Sequence, residues 1–169
     1  MAVTDYLEWD VQKLSDAMKI APKDVVEYFT DGRRVSFILE RRLAHEIVHG
    51  KLAPSEGEEY DLTDTKGGKW EVRSITKGGV YFCPSNMVGK GRAFEKAGFL
   101  KKLNQIRGYI LTDVVAFPKI PFWTIPKETV RKWWDEGNLG INSHVTHKKA
   151  LELINSTIKA RGLHSFEKE

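Results

Sequence analysis

The run Tyr109-Ile110-Leu111-Thr112-Asp113-Val114-Val115-Ala116-Phe117 constrains the fold of this chain more than any other segment. It is long, apolar and rich in β-branched residues, without polar alternation. Such a run fits a central strand buried on both faces, and a strand of that kind needs covering layers on both sides of its sheet. The rest of the sequence supplies them. Residues 5–50 read as helical: Val11, Leu14, Ala17 and Met18 recur at helical spacing, and Lys23 to Phe29 start a second short helix after Pro22. Asp31-Gly32 stops it. A third helix is expected from Arg34 to His49, with Val35, Ile38, Leu39, Leu43 and Ile47 as apolar positions, ended by Gly50 and Pro54.

From Tyr60 the period changes to two. Tyr60 to Thr63, Trp70 to Thr76 and Val80 to Cys83 read as a meander of strands around Lys66-Gly67-Gly68-Lys69 and Lys77-Gly78-Gly79 turns. Helices follow over Ala93 to Ile106, Lys127 to Trp134 and Ser143 to Arg161, with a further strand over Ile120 to Ile125. This order predicts an α/β or α+β fold in which a central mixed sheet is flanked by helices. The division expected is a helical region over 1–50 and a core over 51–169, within one compact domain of 169 residues.

Cys83 is the single cysteine, which excludes an intrachain disulfide framework and a cysteine zinc cage. MAVTDYLEWD has no signal-peptide pattern and no stretch has the length of a membrane span, so a soluble, cytoplasmic protein is expected. The net charge of +4 hides an asymmetry. From Thr65 to Gly108 there are ten basic residues against two acidic ones, so this segment carries +8 and the remainder −4. A basic block interrupted by glycines suits a surface that meets phosphates.

Within that block lies Trp70-Glu71-Val72-Arg73-Ser74-Ile75-Thr76. Alternation puts Glu71, Arg73 and Ile75 on one face and Trp70, Val72 and Ser74 on the other. Asp61 lies ten residues before Glu71, across a glycine turn, so a hairpin can return it beside Glu71. Two carboxylates with a neighbouring cation can hold a divalent metal on oxygen and stabilise charge on a phosphate under attack.

The segments Glu58-Glu59-Tyr60-Asp61-Leu62-Thr63-Asp64 and Lys69-Trp70-Glu71-Val72-Arg73-Ser74-Ile75-Thr76 resemble the PD-(D/E)XK nucleases, and most nearly the small type II restriction endonucleases of the PvuII kind. The likeness is close over Glu58 to Met87 and loose to Trp134. It implies a restriction-endonuclease-like fold and a Mg²⁺-dependent endonuclease of double-stranded DNA, with Mn²⁺ as substitute, acting as a homodimer in a restriction system. It implies Asp61 and Glu71 as metal ligands, Glu58 as an accessory metal carboxylate, and Glu40 as an additional acidic residue on the preceding helix. The family's catalytic lysine falls on Arg73. Arginine stays protonated and cannot serve as a base, although it can clamp a phosphate. Either the metal alone activates water, or a lysine from elsewhere (Lys69 or Lys101) substitutes, or the site is impaired and the chain only binds DNA.

Three further features stand out. His45-Glu46-Ile47-Val48-His49 is a literal H-E-x-x-H on an expected helix, which gives an alternative reading as a zinc metallopeptidase using His45, Glu46 and His49. A third ligand would have to come from Glu56, Glu58 or Asp61. Leu14 to Arg34 looks like a helix-turn-helix or a dimerisation pair, with Ala17 and Val25/Val26 at the helix contact and Lys23, Arg33 and Arg34 able to approach DNA. The basic segment after the Glu71 strand offers Lys77, Ser85, Asn86, Lys90 and Arg92 as DNA contacts.

Overall fold

The computed structural model describes residues 5–55 and 57–161, with the side chains of 159–161 left aside. The architecture is the expected mixed α/β arrangement. Strands β1 (Asp5–Glu8), β2 (Lys51–Leu52), β3 (Leu62–Thr63), β4 (Lys69–Ile75), β6 (Gly108–Asp113) and β7 (Lys119–Pro126) form one six-stranded sheet in the order β1-β7-β6-β4-β3-β2. Strand β5 (Val80–Tyr81) leaves this sheet and pairs with β8 (His144–Val145). The expected meander is therefore corrected at its third strand. After Gly79 the chain turns away, and the neighbour of β4 becomes β6, in parallel, through the crossover helix α4 (Lys96–Gln105).

Strand β6 is central, and all six of its residues are buried. It is shorter than its apolar run because the Asp113 carboxylate accepts from Val115 N and turns Val114–Ala116 into a 3-10 turn. The two faces of the sheet carry separate cores. Trp70, Val72 and Ile110 pack with Leu7, Phe29, Val35 and Leu39 under α1 (Val11–Met18), α2 (Pro22–Thr30) and α3 (Gly32–Arg42). Ile75, Tyr109 and Leu111 pack with Phe99, Leu103 and Ile154 under α4, α5 (Lys127–Asp135) and α6 (His147–Arg161). The alternation in β4 thus assigns Glu71 and Arg73 to the α4 side.

The N-terminal region is not wholly helical. Asp5–Glu8 pairs antiparallel with β7, so the first residues are sewn into the same sheet as the rest. Leu7 is the buried member of that strand, and a two-residue alternation this short was invisible beside the helical pattern. In the helix pair, Ala17 and Val26 are exposed, while Ser15, Val25 and Phe29 are the buried positions. Helix α3 lies close over β4 because Gly32 has no side chain; a Cβ there would come within 2.9 Å of Ser74 Cβ. The helix expected to reach His49 ends at Arg42 and continues as a π turn, Leu43–Ile47. Among the described residues no helix is long and apolar enough to cross a membrane.

Candidate active site

The site is built by a hairpin. Asp64 accepts from Lys66 N and Gly68 N through Oδ1, and from Trp70 Nε1 and Arg107 through Oδ2, all at 2.8–2.9 Å. These bonds fold the Asp64–Gly68 turn and fix Leu62 opposite Trp70. Asp61 is then held on both sides of its backbone: its N–H donates to Trp70 O, and its carbonyl accepts from Ala53 N. Beyond it the partner strand has ended, so Val72 N has no ladder acceptor from β3. The Asp61 carboxylate takes that place, with Oδ2 at 2.7 Å from Val72 N. The side chain that continues the ladder is thereby delivered to the middle of β4.

Glu71, one residue earlier on β4, is 5% exposed. Its Oε1 meets Arg73 at 2.8 Å and its Oε2 meets Lys102 Nζ at 2.6 Å. The Arg73 guanidinium also donates to Cys83 O at 3.0 Å, while its buried Nε has no hydrogen-bond partner. Beneath the cluster, Tyr109 is the register partner of Glu71 and donates its hydroxyl to Phe82 O at 2.6 Å. Burial pushes the Tyr109 phenol up, which keeps it a donor.

Asp61 is the strained carboxylate. Burial, and then the charge of Glu71, push it up to about 6, against the opposing Val72 N–H and the Arg73 and Lys102 cations. A buried acid whose charge is disfavoured by a second acid is a site that additional positive charge would relieve.

Asp61 also lines an open pocket of about 510 Å³, whose walls are Ser36, Phe37, Glu40 and Arg41 of α3 and the 52–55 and 60–61 segments. The structure therefore brings Asp61, Glu71 and Arg73 together, with Glu40 facing the Asp61 pocket. Glu58 is exposed in the turn before β3 and does not line that pocket.

Lys102 is the site residue that sequence reading missed. Of the two expected substitutes, Lys101 is exposed on α4, and Lys69 lies over the Tyr60 ring, 4.7 Å from its centroid. The signal for Lys102 was present: Phe99, Lys102, Leu103 and Ile106 share one helical stripe, so a lysine stands among the apolar positions that face the sheet.

The basic segment starts at this site. Arg73 binds the carbonyl of Cys83, and the 3-10 turn Ser85–Met87 follows. Lys77, Ser85, Asn86 and Lys90 are exposed; Arg92 is exposed too, and closes the loop onto Ser85 O and Val88 O.

The H-E-x-x-H residues make a different arrangement. The Glu46 carboxylate is gripped by Arg42 through two 2.6 Å bonds. His49 has left the helix, with a φ of 52°, and its Nδ1 lies 3.1 Å from His45 O. Glu56 lies outside the described residues, and Asp61 points to Val72.

Among the described residues, no group of three His, Cys, Asp or Glu side chains is placed to hold a metal ion. Asp61 and Glu71 form a pair instead. Carboxylates are the donors a hard cation such as Mg²⁺ takes, with waters and phosphate oxygens completing its shell; in this structure both Glu71 oxygens are engaged by Arg73 and Lys102. No protein-family model matches the chain, and no curated protein matches it.

Proposed function

We propose that this chain is a divalent-cation-dependent endonuclease of double-stranded DNA, a sequence-specific type II restriction enzyme that works as a homodimer. The observation that carries this reading is that Glu71 on β4 pairs with Arg73 and Lys102, while Asp61, just before β3, is fixed on Val72 N and feels the charges of all three. The resemblance of residues 58–87 to the PD-(D/E)XK nucleases supports it, and so does the +8 segment that contains the cluster.

Asp61 and Glu71 would hold the Mg²⁺ ion, with Mn²⁺ as a substitute. When bound, the ion polarises a phosphate oxygen and lowers the pKa of a water. The protein's own contribution is positioning and charge. Asp61 is fixed by its backbone on two sides and by Val72 N. Arg73, permanently protonated, stabilises negative charge that grows on the phosphate. The exposed Lys77, Ser85, Asn86, Lys90 and Arg92 approach the duplex backbone and base edges. Two-fold symmetry would set two sites on opposite strands of a palindromic target.

The test is incubation with phage DNA and Mg²⁺, read as discrete bands. Asp61→Ala and Glu71→Ala should abolish cutting while DNA binding in Ca²⁺ survives, and that binding should weaken steeply with salt. Cutting by both variants at the wild-type rate would overturn the assignment. Specific binding with no cutting in Mg²⁺ or Mn²⁺ would leave a DNA-binding protein with an impaired site.

A further inference from the structure

The Glu71–Lys102 contact has a chemical consequence for cation binding. Both oxygens of Glu71 are already committed, Oε1 to Arg73 and Oε2 to Lys102. Lys102 and Glu71 are 7% and 5% exposed, so water does little to weaken the pair. Arg73 is held by two acceptors, its Nη2 meeting both Glu71 Oε1 and the Cys83 carbonyl, whereas Lys102 is held by Glu71. Lys102 reaches Glu71 on a flexible four-carbon stem from α4, beside Phe99 and Leu103. Of the two cations on Glu71, the ammonium is the one that can leave by rotating its own stem.

We propose that Lys102 is a built-in counter-ion that occupies Glu71 in the metal-free protein, so that a divalent cation binds by exchange, displacing the ammonium from Oε2. This inference rests on the reading of Asp61 and Glu71 as cation ligands. The exchange keeps the buried carboxylate neutralised at every stage. It sets the cation affinity below what two buried carboxylates would otherwise give. It also releases a positive group beside the cation, where an anionic substrate would gather it. Cation and phosphate therefore bind cooperatively: the displaced ammonium raises the cost of the cation alone and lowers it when a phosphodiester is present.

The experiment is calorimetric titration of the full chain with Ca²⁺, which supports binding without turnover. Lys102→Met keeps the stem and removes the charge. It should tighten Ca²⁺ binding by roughly tenfold or more, since a like charge within a few ångströms of the cation is gone. It should also reduce the gain in Ca²⁺ affinity produced by a short DNA duplex. Unchanged or weaker Ca²⁺ binding in Lys102→Met would overturn the exchange. If Lys102→Met does not fold, as judged by circular dichroism, Lys102→Gln takes its place. A measurement on the unaltered chain gives an independent reading: the ¹⁵Nζ resonance of Lys102 should shift on saturation with Ca²⁺, and an unmoved resonance would overturn the proposal. Asp61→Asn and Glu71→Gln separate the two levels of inference. Loss of Ca²⁺ binding in both, without tightening by Lys102→Met, sinks the exchange alone. Wild-type Ca²⁺ binding in both sinks the cation site itself.

Discussion

Asp61 and Asp64 stand three residues apart at the two ends of one short strand, and the fold treats their carboxylates in opposite ways. Asp64 is saturated. Partial burial pushes its carboxyl up, but hydrogen bonds from Trp70, Gly68 and Lys66 and the charge of Arg107 outweigh that and hold it below the usual carboxylate range. Asp61 has one backbone donor, deeper burial and a second acid beside it, and is pushed up to about 6. The first carboxylate closes the hairpin and sets its register. The second is carried by that register into a place where its charge is unwelcome. The contrast shows how a fold separates a satisfied acid from one whose charge is disfavoured: through the donors and burial each is given, not through distance along the chain.

The strongest way to break the comparison is catalytic. If the proposed nuclease reading holds, Asp61→Asn should lower cleavage by at least about a thousandfold, because a neutral amide is a poor cation ligand, while the Val72 N–H bond is kept. If Asp61→Asn cuts at the wild-type rate and Asp64→Asn does not, the roles are reversed. Next in size is the structural acid. Asp64→Ala leaves Trp70 Nε1 and two backbone N–H groups without their acceptor, and should cost about 2–4 kcal/mol in urea unfolding. Since the Asp64 pKa is lowered by folding, its stabilisation is present above the ordinary carboxylate pKa and is lost as the pH falls through the depressed value. The cost of Asp64→Ala should therefore shrink in acid.

Asp61 predicts the opposite slope. Its folded pKa lies above the 3.8 of an unperturbed aspartate, so the native state holds the proton more tightly. Its contribution is fully present below about pH 4 and is lost as the pH rises through about 6, a change on the order of 2–3 kcal/mol. Asp61→Asn should remove that loss, giving a metal-free protein with a higher melting temperature than wild type at pH 7.5. An unaltered or lower melting temperature would mean that Asp61 is not the strained group. The smallest effect belongs to Arg107→Ala. Its guanidinium is half exposed, and losing its pair with Asp64 should cost no more than about 1 kcal/mol, least in high salt.

Much of this was legible in the residues. The run from Tyr109 is the buried central strand, shortened by Asp113. The alternation in Trp70–Ile75 puts Glu71 and Arg73 on one face, and the spacing of ten returns Asp61 to that strand. Local patterning carries these features because the strand period and the turn glycines act within a few residues of one another. What failed depended on partners far away in sequence. Strand β1 exists because β7 offers it an edge, and β5 leaves the sheet because β8 takes it.

The sequence by itself determined which faces of the strands are apolar, where the hairpin turns, and that two acids and an arginine share one end of it. Only the tertiary structure decided which lysine joins them and which carboxylate is forced to bear an unfavourable charge. Lys102 meets Glu71 across 31 residues because α4 crosses over to bring β6 beside β4. Burial and charge, unlike periodicity, are set by everything that packs around a group, so they exist only once the layers have closed.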